Sequence, residues 1–320
     1  MAKQNSKETE IEISVVVPLF NEEQSLAELH ERITSEIGEN FSHEIIFIDD
    51  GSSDDSWEVI EKLACEHKNT NGIRFQRNYG KSSALQSGFE RAKGKYIVTM
   101  DADLQDDPAE IPEMIEMLKN GHDLVSGWKK KRHDPLSKTI PSKFFNKVTS
   151  WVTGIDLHDF NCGLKAYKRE VIENIHLYGE LHRYIPLLAK WEGFKKIGEK
   201  VVQHHPRKFG ETKFGFSRFM HGFLDLVTLV FINSYLQRPM HFFGTLGFIF
   251  LVIGGLINAY LAIAKIFFGE YLSGRPLLLL GVMLMVLGAQ FFSIGFLGEL
   301  INRNKGEPKK TNVKEKIDSH

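Results

Sequence analysis

The sequence predicts a three-layer α/β domain with a mostly parallel sheet, followed by an apolar helical hairpin that spans a membrane. Three observations carry this. Short apolar, β-branched runs alternate with helix-period segments at least four times between Ile13 and Lys119, the pattern of units that build parallel sheets. Polar clusters follow successive strands, where such sheets bind ligands. From Phe242 the chain turns apolar: Phe242–Phe268 holds one charge, Lys265, and Leu277–Gly298 holds none. As a helix, each run is long enough to cross roughly 30 Å of hydrocarbon.

Ile13–Leu19 is the first strand, almost continuously apolar as buried parallel strands are. Phe20–Glu23 forms a polar turn, and Ser25 and Glu28 pair as a capping box at the start of a helix whose apolar face is Leu26, Leu29, Ile33 and Ile37. Glu44–Ile48 is the second strand, running into Asp49-Asp50-Gly51-Ser52, and a helix with Trp57, Ile60 and Leu63 inward follows. Gly72–Gln76 is the third strand; Arg77–Lys81 then turns into a helix through Arg91. Tyr96–Met100 is the fourth, Pro108–Lys119 the next helix and Asp123–Gly127 a fifth strand. Lys200–Gln203 is a later strand-like run. Phe214–Arg238 carries Phe216, Phe219, Phe223, Leu226 and Val230 at helical spacing and is expected to lie in a membrane interface. The expected divisions are a polar tail (1–10), a catalytic domain (11–213), interfacial helices (214–240), two membrane helices within 241–301 (about 242–268 and 277–298) and a basic tail (302–320).

Composition narrows the class. With 40 basic and 41 acidic residues the net charge is −1, so nothing points to nucleic acid. Cys65 and Cys162 match no metal spacing and form no expected disulfide; Cys162 reads as a small buried residue. Met1–Ile11 lacks an apolar core and reads as no signal peptide. The tail after Ile301 is rich in Lys and Arg while the short loop between the apolar runs holds only Glu270 and Arg275. The positive-inside rule then places both termini and the catalytic domain in the cytoplasm.

Chemistry concentrates at Asp101-Ala102-Asp103-Leu104-Gln105-Asp106-Asp107-Pro108. Asp101 and Asp103 alternate and so share one side of an extended backbone. Two carboxylates so close repel unless a cation intervenes, and oxygen ligands suit Mg²⁺ or Mn²⁺. Asp107 before Pro108 reads instead as a helix cap. Between Trp128 and Trp151 lie Lys129, Lys130, Lys131, Arg132, Lys138, Lys143 and Lys147 against one acid, Asp134. That loop is expected to meet a lipid phosphate or an anionic membrane surface. Arg183 is a candidate phosphate or carboxylate partner, and Arg207 and Lys208 candidate diphosphate or acceptor clamps. His204 and His205 are adjacent on an extended run and face opposite sides, so they are not read as a metal pair.

Val17-Pro18-Leu19-Phe20-Asn21-Glu22-Glu23, Asp49-Asp50-Gly51-Ser52, Asp101–Pro108 and Asn161-Cys162-Gly163-Leu164-Lys165-Ala166-Tyr167 together resemble glycosyltransferase family 2, and within it the polyprenyl-phosphate glycosyltransferases. The resemblance covers about residues 11–210 and implies a GT-A domain. It implies that Pro18, Phe20, Asn21, Glu22, Asp50, Lys81 and Asp101 bind the donor, with Asp50 facing the base. Phe20 departs from the tyrosine common in relatives, keeping the ring and losing the hydroxyl. It implies that Asp101, Asp103 and Gln105 serve the metal and that Asp101 and Asp159 are catalytic-site carboxylates; Asp156 lies nearby and stays open. The implied reaction is inverting transfer of a hexose from a nucleotide diphosphate sugar, UDP-glucose first and GDP-mannose second, to a membrane polyprenyl phosphate such as undecaprenyl phosphate. A homo-oligomer is expected, because glycines in the hairpin permit close helix packing. A processive polysaccharide synthase would need a pore and a Gln-x-x-Arg-Trp motif, which is absent. A non-enzymatic adaptor would have lost Asp101, Asp103 and Gln105, which are present.

Overall fold

A computed structural model of the chain describes residues 11–130, 146–206 except Val152, Lys208, Thr228, 239–269, Tyr271 and 275–304. The expected interfacial segment 214–238 apart from Thr228, the basic tail beyond Asn304, and the sites Lys131, Arg132 and Arg207 therefore lie outside the described residues. The chain divides into two compact units, Met1–Asp225 and Leu226–His320.

The first unit is built on a seven-stranded sheet of order β3-β2-β1-β4-β6-β5-β7. The strands are β1 (Ile13–Leu19), β2 (His43–Asp49), β3 (Thr70–Arg74), β4 (Tyr96–Thr99), β5 (Leu124–Trp128), β6 (Lys165–Lys168) and β7 (Ile197–Val201). β1 pairs in parallel with β2 and β4, β2 with β3, and β5 with β7, whereas β6 runs antiparallel between β4 and β5. β6 escapes a sequence reading because its four residues begin and end in lysine. The helices are α1 (Glu23–Ile37), α2 (Ser56–Glu66), α3 (Lys81–Arg91), α4 (Ile111–Lys119), α5 (Arg169–Glu173) and α6 (Ile185–Trp191).

All seven residues of β1 are buried, which requires layers on both faces. Ile13, Val15, Val17 and Leu19 join one core with Leu26, Leu29 and Ile33 of α1 and Met114 and Ile115 of α4. On the other face α3 lies so close that a Cβ on Gly88 would stand 2.4 Å from Val16 Cγ1 and 2.9 Å from Ile48 Cδ1. The expected capping box does not form. α1 begins at Glu23, so Ser25 falls inside the first turn and donates to the Glu22 carbonyl (2.9 Å). Glu28 pairs instead with Arg32 and Lys208. Asp107 is the expected cap: it accepts from the Ala109 amide (3.1 Å) with Pro108 at N1 of a 3-10 turn, Pro108–Glu110, that leads into α4.

In the second unit a π-helical turn, Met240–Gly244, leads into α7 (Thr245–Phe268), and α8 (Pro276–Asn304) runs back against it. Met240–Phe268 and Pro276–Ile301 are long and apolar enough to cross a membrane. Only 17% and 11% of their most apolar windows are buried, so they are not core helices of a soluble fold. The glycines are used inside the hairpin: a Cβ on Gly247 would stand 2.6 Å from Gly288 O, and one on Gly254 would stand 2.6 Å from Gly281 O. Gly269 at φ 66° closes α7, its amide donating to the last-turn carbonyls.

One buried histidine makes the first unit sensitive to acid. His30 is 3% exposed, with Nε2 2.8 Å from Thr70 Oγ1 and its ring 4.4 Å from that of His67. Burial first, then the charges of His67 and His43, push its pKa down to about 4. The unfolded chain takes up this proton near pH 6.5 and the folded chain does not. Stability is thus fully present above pH 6.5 and falls by on the order of 3 kcal/mol as pH drops through 4. Thermal melts between pH 7 and 4 are expected to show this loss in the native chain and a flatter profile in His30→Gln.

Candidate active site

The site is assembled from loops at the carboxyl ends of β1, β2, β3 and β4. After β1 the chain turns at Asn21, whose φ of 57° is left-handed. The Asn21 amide donates to Ser52 Oγ (2.9 Å), Asn21 Oδ1 accepts from the Ser53 amide (2.9 Å), and the Glu22 amide donates to Ser56 Oγ (3.0 Å). Asn21 and Glu22 thus lock the first turn to the second. The bonds of Asn21 fix backbone, which a residue list cannot reveal.

Asp50 locks the second turn to the third. The Tyr79 amide donates to its Oδ1 (2.7 Å) and the Gly80 amide to its Oδ2 (2.9 Å). Burial raises its pKa, and the two amides oppose that rise. Gly51, at φ 74°, lets the turns touch, since a Cβ would meet Arg77 C at 2.5 Å. This clamp delivers Lys81 at the start of α3, where its Nζ donates to Asp101 Oδ1.

Three carboxylates then gather after β4. Asp101 pairs with Lys81, and Asp106, wholly buried at its side chain, pairs with Lys129 Nζ (2.7 Å). Asp103 has neither lysine as an ion-pair partner; among the described residues its Oδ1 accepts the Gln105 amide (3.2 Å). Burial works against ionising Asp101, but Lys81 and Lys129 outweigh it and hold its pKa below the usual carboxylate range. Burial and then the charges of Asp101 and Asp106 raise that of Asp103. Burial also disfavours the charge on Lys129, yet Asp106, Cys162 and Asp101 more than offset this and raise its pKa. Lys129, expected at the acceptor phosphate, therefore points inward as the counter-ion of the acidic loop.

The segment after β7 closes this loop from outside. The His205 amide donates to the Gln105 carbonyl (2.9 Å), His205 Nε2 lies 3.0 Å from Asp107 Oδ2, and Asp106 and His204 form a backbone bridge. Lys208, expected to clamp phosphate, makes an exposed pair with Glu28 (2.6 Å). Arg183 is mostly buried near Glu180 (3.5 Å).

Asp159 is fully buried; its Oδ1 accepts the Asn161 amide (3.1 Å) and starts the turn through Cys162 and Gly163. That turn cradles Asp101, for a Cβ on Gly163 would stand 2.5 Å from Asp101 Oδ2. Glu199 of β7 accepts the amides of His158 (2.7 Å) and Asp159 (3.1 Å), fixing the turn from behind. Cys162 is buried and its pKa is pushed up to about 12 by burial and Asp106, so it is no nucleophile. Asp156 is exposed and Phe20 half-buried. Glu199 is the contributor that the sequence did not single out; Lys129 was expected at the acceptor phosphate instead, and Asp106 and Gly163 stood within the quoted motifs without an assigned role.

No three His, Cys, Asp or Glu side chains group as a metal cage among the described residues. The donor chemistry still fits a hard cation. Asp103 is crowded by two like charges, and Mg²⁺ or Mn²⁺ in such sites takes one or two carboxylates and fills its remaining positions with phosphate and water.

The family model of glycosyl transferase family 2 matches residues 14–176. A dodecaprenyl-phosphate galacturonate synthase of Rhizobium johnstonii is 40% identical over 92% of this chain and 88% of its own length. An undecaprenyl-phosphate 4-deoxy-4-formamido-L-arabinose transferase of Shewanella sediminis is 35% identical over 91% of this chain and 87% of its own. Among solved structures, glucosyl-3-phosphoglycerate synthase of Mycobacterium tuberculosis in complex with UDP superposes with a TM-score of 0.53 at 18% identity, covering 70% of this chain and 80% of that one. The same enzyme with Mn²⁺ and UDP-glucose bound has been solved too, with a TM-score of 0.52 here. At that identity the likeness establishes the shared GT-A fold.

Gly163 does not need a left-handed backbone, so alanine there acts through contact alone. Gly163→Ala is expected to push Asp101 off Lys81 and slow sugar transfer at least ~10-fold, with a melting temperature within a few degrees of native. Assaying transfer beside thermal melting separates the two effects.

Proposed function

The chain belongs to glycosyltransferase family 2, and on that premise we propose that it transfers a sugar from a nucleoside diphosphate to a polyprenyl phosphate at a membrane. The observation that carries the reading is the convergence of four strand-end loops on Asp101 and Asp103, with Lys81 delivered to them by the Asp50 clamp. Relatives alike over nine-tenths of the chain carry polyprenyl-phosphate transferase names. Their named sugars, galacturonate and 4-deoxy-4-formamido-L-arabinose, count against the neutral glucose and mannose expected first, though a uridine donor remains the first candidate.

In this reading Pro18, Phe20, Asn21, Glu22 and Asp50 form the nucleotide end. The polyprenyl phosphate is already ionised at neutral pH, so its oxygen attacks the anomeric carbon without a strong general base, and the nucleoside diphosphate leaves from the opposite face with inversion. Asp103, Gln105 and the edge of Asp101 would hold Mg²⁺ or Mn²⁺, which supplies Lewis-acid stabilisation of the leaving diphosphate. Lys81 exchanges Asp101 for the same phosphates. Asp159 acts through the Asn161–Gly163 turn that orients Asp101. Lys131, Arg132, Arg183, Arg207 and Lys208 are the cations available to two anions that must approach. The described hairpin holds the domain at the membrane, with both termini and the catalytic domain on the cytoplasmic side by the positive-inside rule.

The chain also self-associates in this reading. Gln290 sits near the middle of the second span, exposed and with no partner among the described residues. A free amide in hydrocarbon is costly, and the same residue of a second copy satisfies it.

With Mg²⁺ or Mn²⁺ and undecaprenyl phosphate, purified chain is expected to consume nucleotide sugar, to stop in EDTA, and to lose on the order of 100-fold in rate in Asp103→Asn. Full rate in EDTA contradicts the metal assignment. Gln290→Leu is expected to reduce cross-linked dimers in membranes; an unchanged yield contradicts the self-association.

A further inference from the structure

On the β5–β7 half of the sheet stands a group of side chains to which the transfer chemistry above assigns no ligand. The sheet order puts β1, β2 and β3, whose ends lead into Asn21, Asp50 and the turn before Lys81, on one side of β4, and β6, β5 and β7 on the other. His158 belongs to this second half. Its amide and that of Asp159 donate to Glu199 Oε1 (2.7 and 3.1 Å), and its Nδ1 lies 2.7 Å from Glu199 Oε2. Its ring stacks on Trp128 at the end of β5, with centroids 4.0 Å apart and planes 13° from parallel. The Lys130 ammonium stands 5.5 Å from the centre of the same indole. Trp128 directly precedes Lys129, which reaches Asp106, so the group borders the acidic loop.

The imidazole is held on one edge and open on the other. Glu199 is 12% exposed at its side chain and spends both oxygens on this segment, so it orients the ring. With Nδ1 donating to Glu199, Nε2 at the opposite corner is left to share a proton with a ligand. Nothing bonds Nε2 among the described residues, and the side chain is 58% exposed. Lys130 is exposed and has no carboxylate at ion-pair distance among the described residues. Fixing an exposed imidazole between a carboxylate and an aromatic face costs side-chain entropy, and it is how a binding histidine is made rigid. Asn146 Nδ2 donates to the His158 carbonyl (2.9 Å) and ties on the helical residues 146–151. Asn146 and Thr149 are buried there, while Lys147 and Trp151, one turn apart, are exposed.

We propose that His158 binds the phosphate of the polyprenyl acceptor through Nε2, with Lys130 as the second donor, which places the acceptor on the β5–β7 half of the sheet. The proposal rests on the transferase reading and names the residue that receives its second substrate. A phosphate monoester loses its second proton at about pH 6, so one proton lies between its oxygen and Nε2 in either charge state. The donor diphosphate has Lys81 on the other side of β4. The two substrates then approach over the acidic loop from opposite sides, as displacement with inversion requires. Lys147 and Trp151 offer the chain that leaves the phosphate a basic and apolar edge, which matches an amphiphile with an anionic head.

The test measures calorimetric binding of farnesyl phosphate, a short acceptor, to the full-length chain in detergent, beside farnesol and beside UDP with Mn²⁺. The native chain is expected to bind farnesyl phosphate at least ~30-fold more tightly than farnesol. His158→Ala is expected to weaken farnesyl phosphate by ~10-fold or more while UDP affinity stays within about 2-fold, and His158→Gln, which keeps an amide donor, to recover part of the loss. Unchanged farnesyl phosphate affinity in His158→Ala overturns the proposal and leaves the transferase reading intact. An equal loss of UDP affinity overturns it too, because it marks a role in the fold alone. Displacement of farnesyl phosphate by phosphatidylglycerol at equal concentration marks a general contact with anionic lipid and also overturns it. A native chain that binds neither UDP nor farnesyl phosphate overturns both the proposal and the transferase reading.

Discussion

The site depends on one electrostatic constraint: three carboxylates, Asp101, Asp103 and Asp106, share two lysines. Lys129 neutralises Asp106 from within the fold and Lys81 neutralises Asp101 from the start of α3. Among the described residues Asp103 is left crowded and with no ion-pair partner of its own. Repulsion among carboxylates is tolerable only where countercharge is supplied. The fold supplies most of it and leaves the remainder to a ligand, which is how a site can bind a diphosphate–metal unit without a closed metal cage.

Much of the surrounding structure serves that arrangement. Asp50 spends both oxygens on the backbone of Tyr79 and Gly80 and so fixes where Lys81 emerges. Glu199 holds the amides of His158 and Asp159, and the turn that follows presses Gly163 against Asp101. These two clamps act on the position of one carboxylate, Asp101. This control comes from hydrogen bonds to rigid backbone rather than from side-chain packing, and truncating a clamp therefore perturbs chemistry before it perturbs the fold.

The architecture was legible because its signals are periodic. Continuous apolar strands, amphipathic helices and two long uncharged runs read directly as layers and spans, and β1 matches its expected bounds residue for residue. The acidic loop was legible because repelling charges stand in sequence. What was hidden is pairing across the chain. Lys129 looked like part of a solvated basic loop because its partner, Asp106, precedes it by a whole helix and strand. β6 was hidden by its lysines, one of which, Lys165, is buried opposite Thr99 at the end of β4. Ser25 and Glu28 have the spacing of a capping box, yet the helix starts two residues before Ser25.

The central claim is that the protein completes its charge balance only with a bound diphosphate and a divalent ion. Calorimetric titration of Mn²⁺ into the full-length chain, with and without saturating UDP, tests it most directly. The account predicts weak binding of the ion alone, binding tightened at least ~10-fold by UDP, and loss of that coupling in Asp103→Asn. Tight binding of Mn²⁺ without nucleotide, or coupling unchanged in the variant, would contradict it.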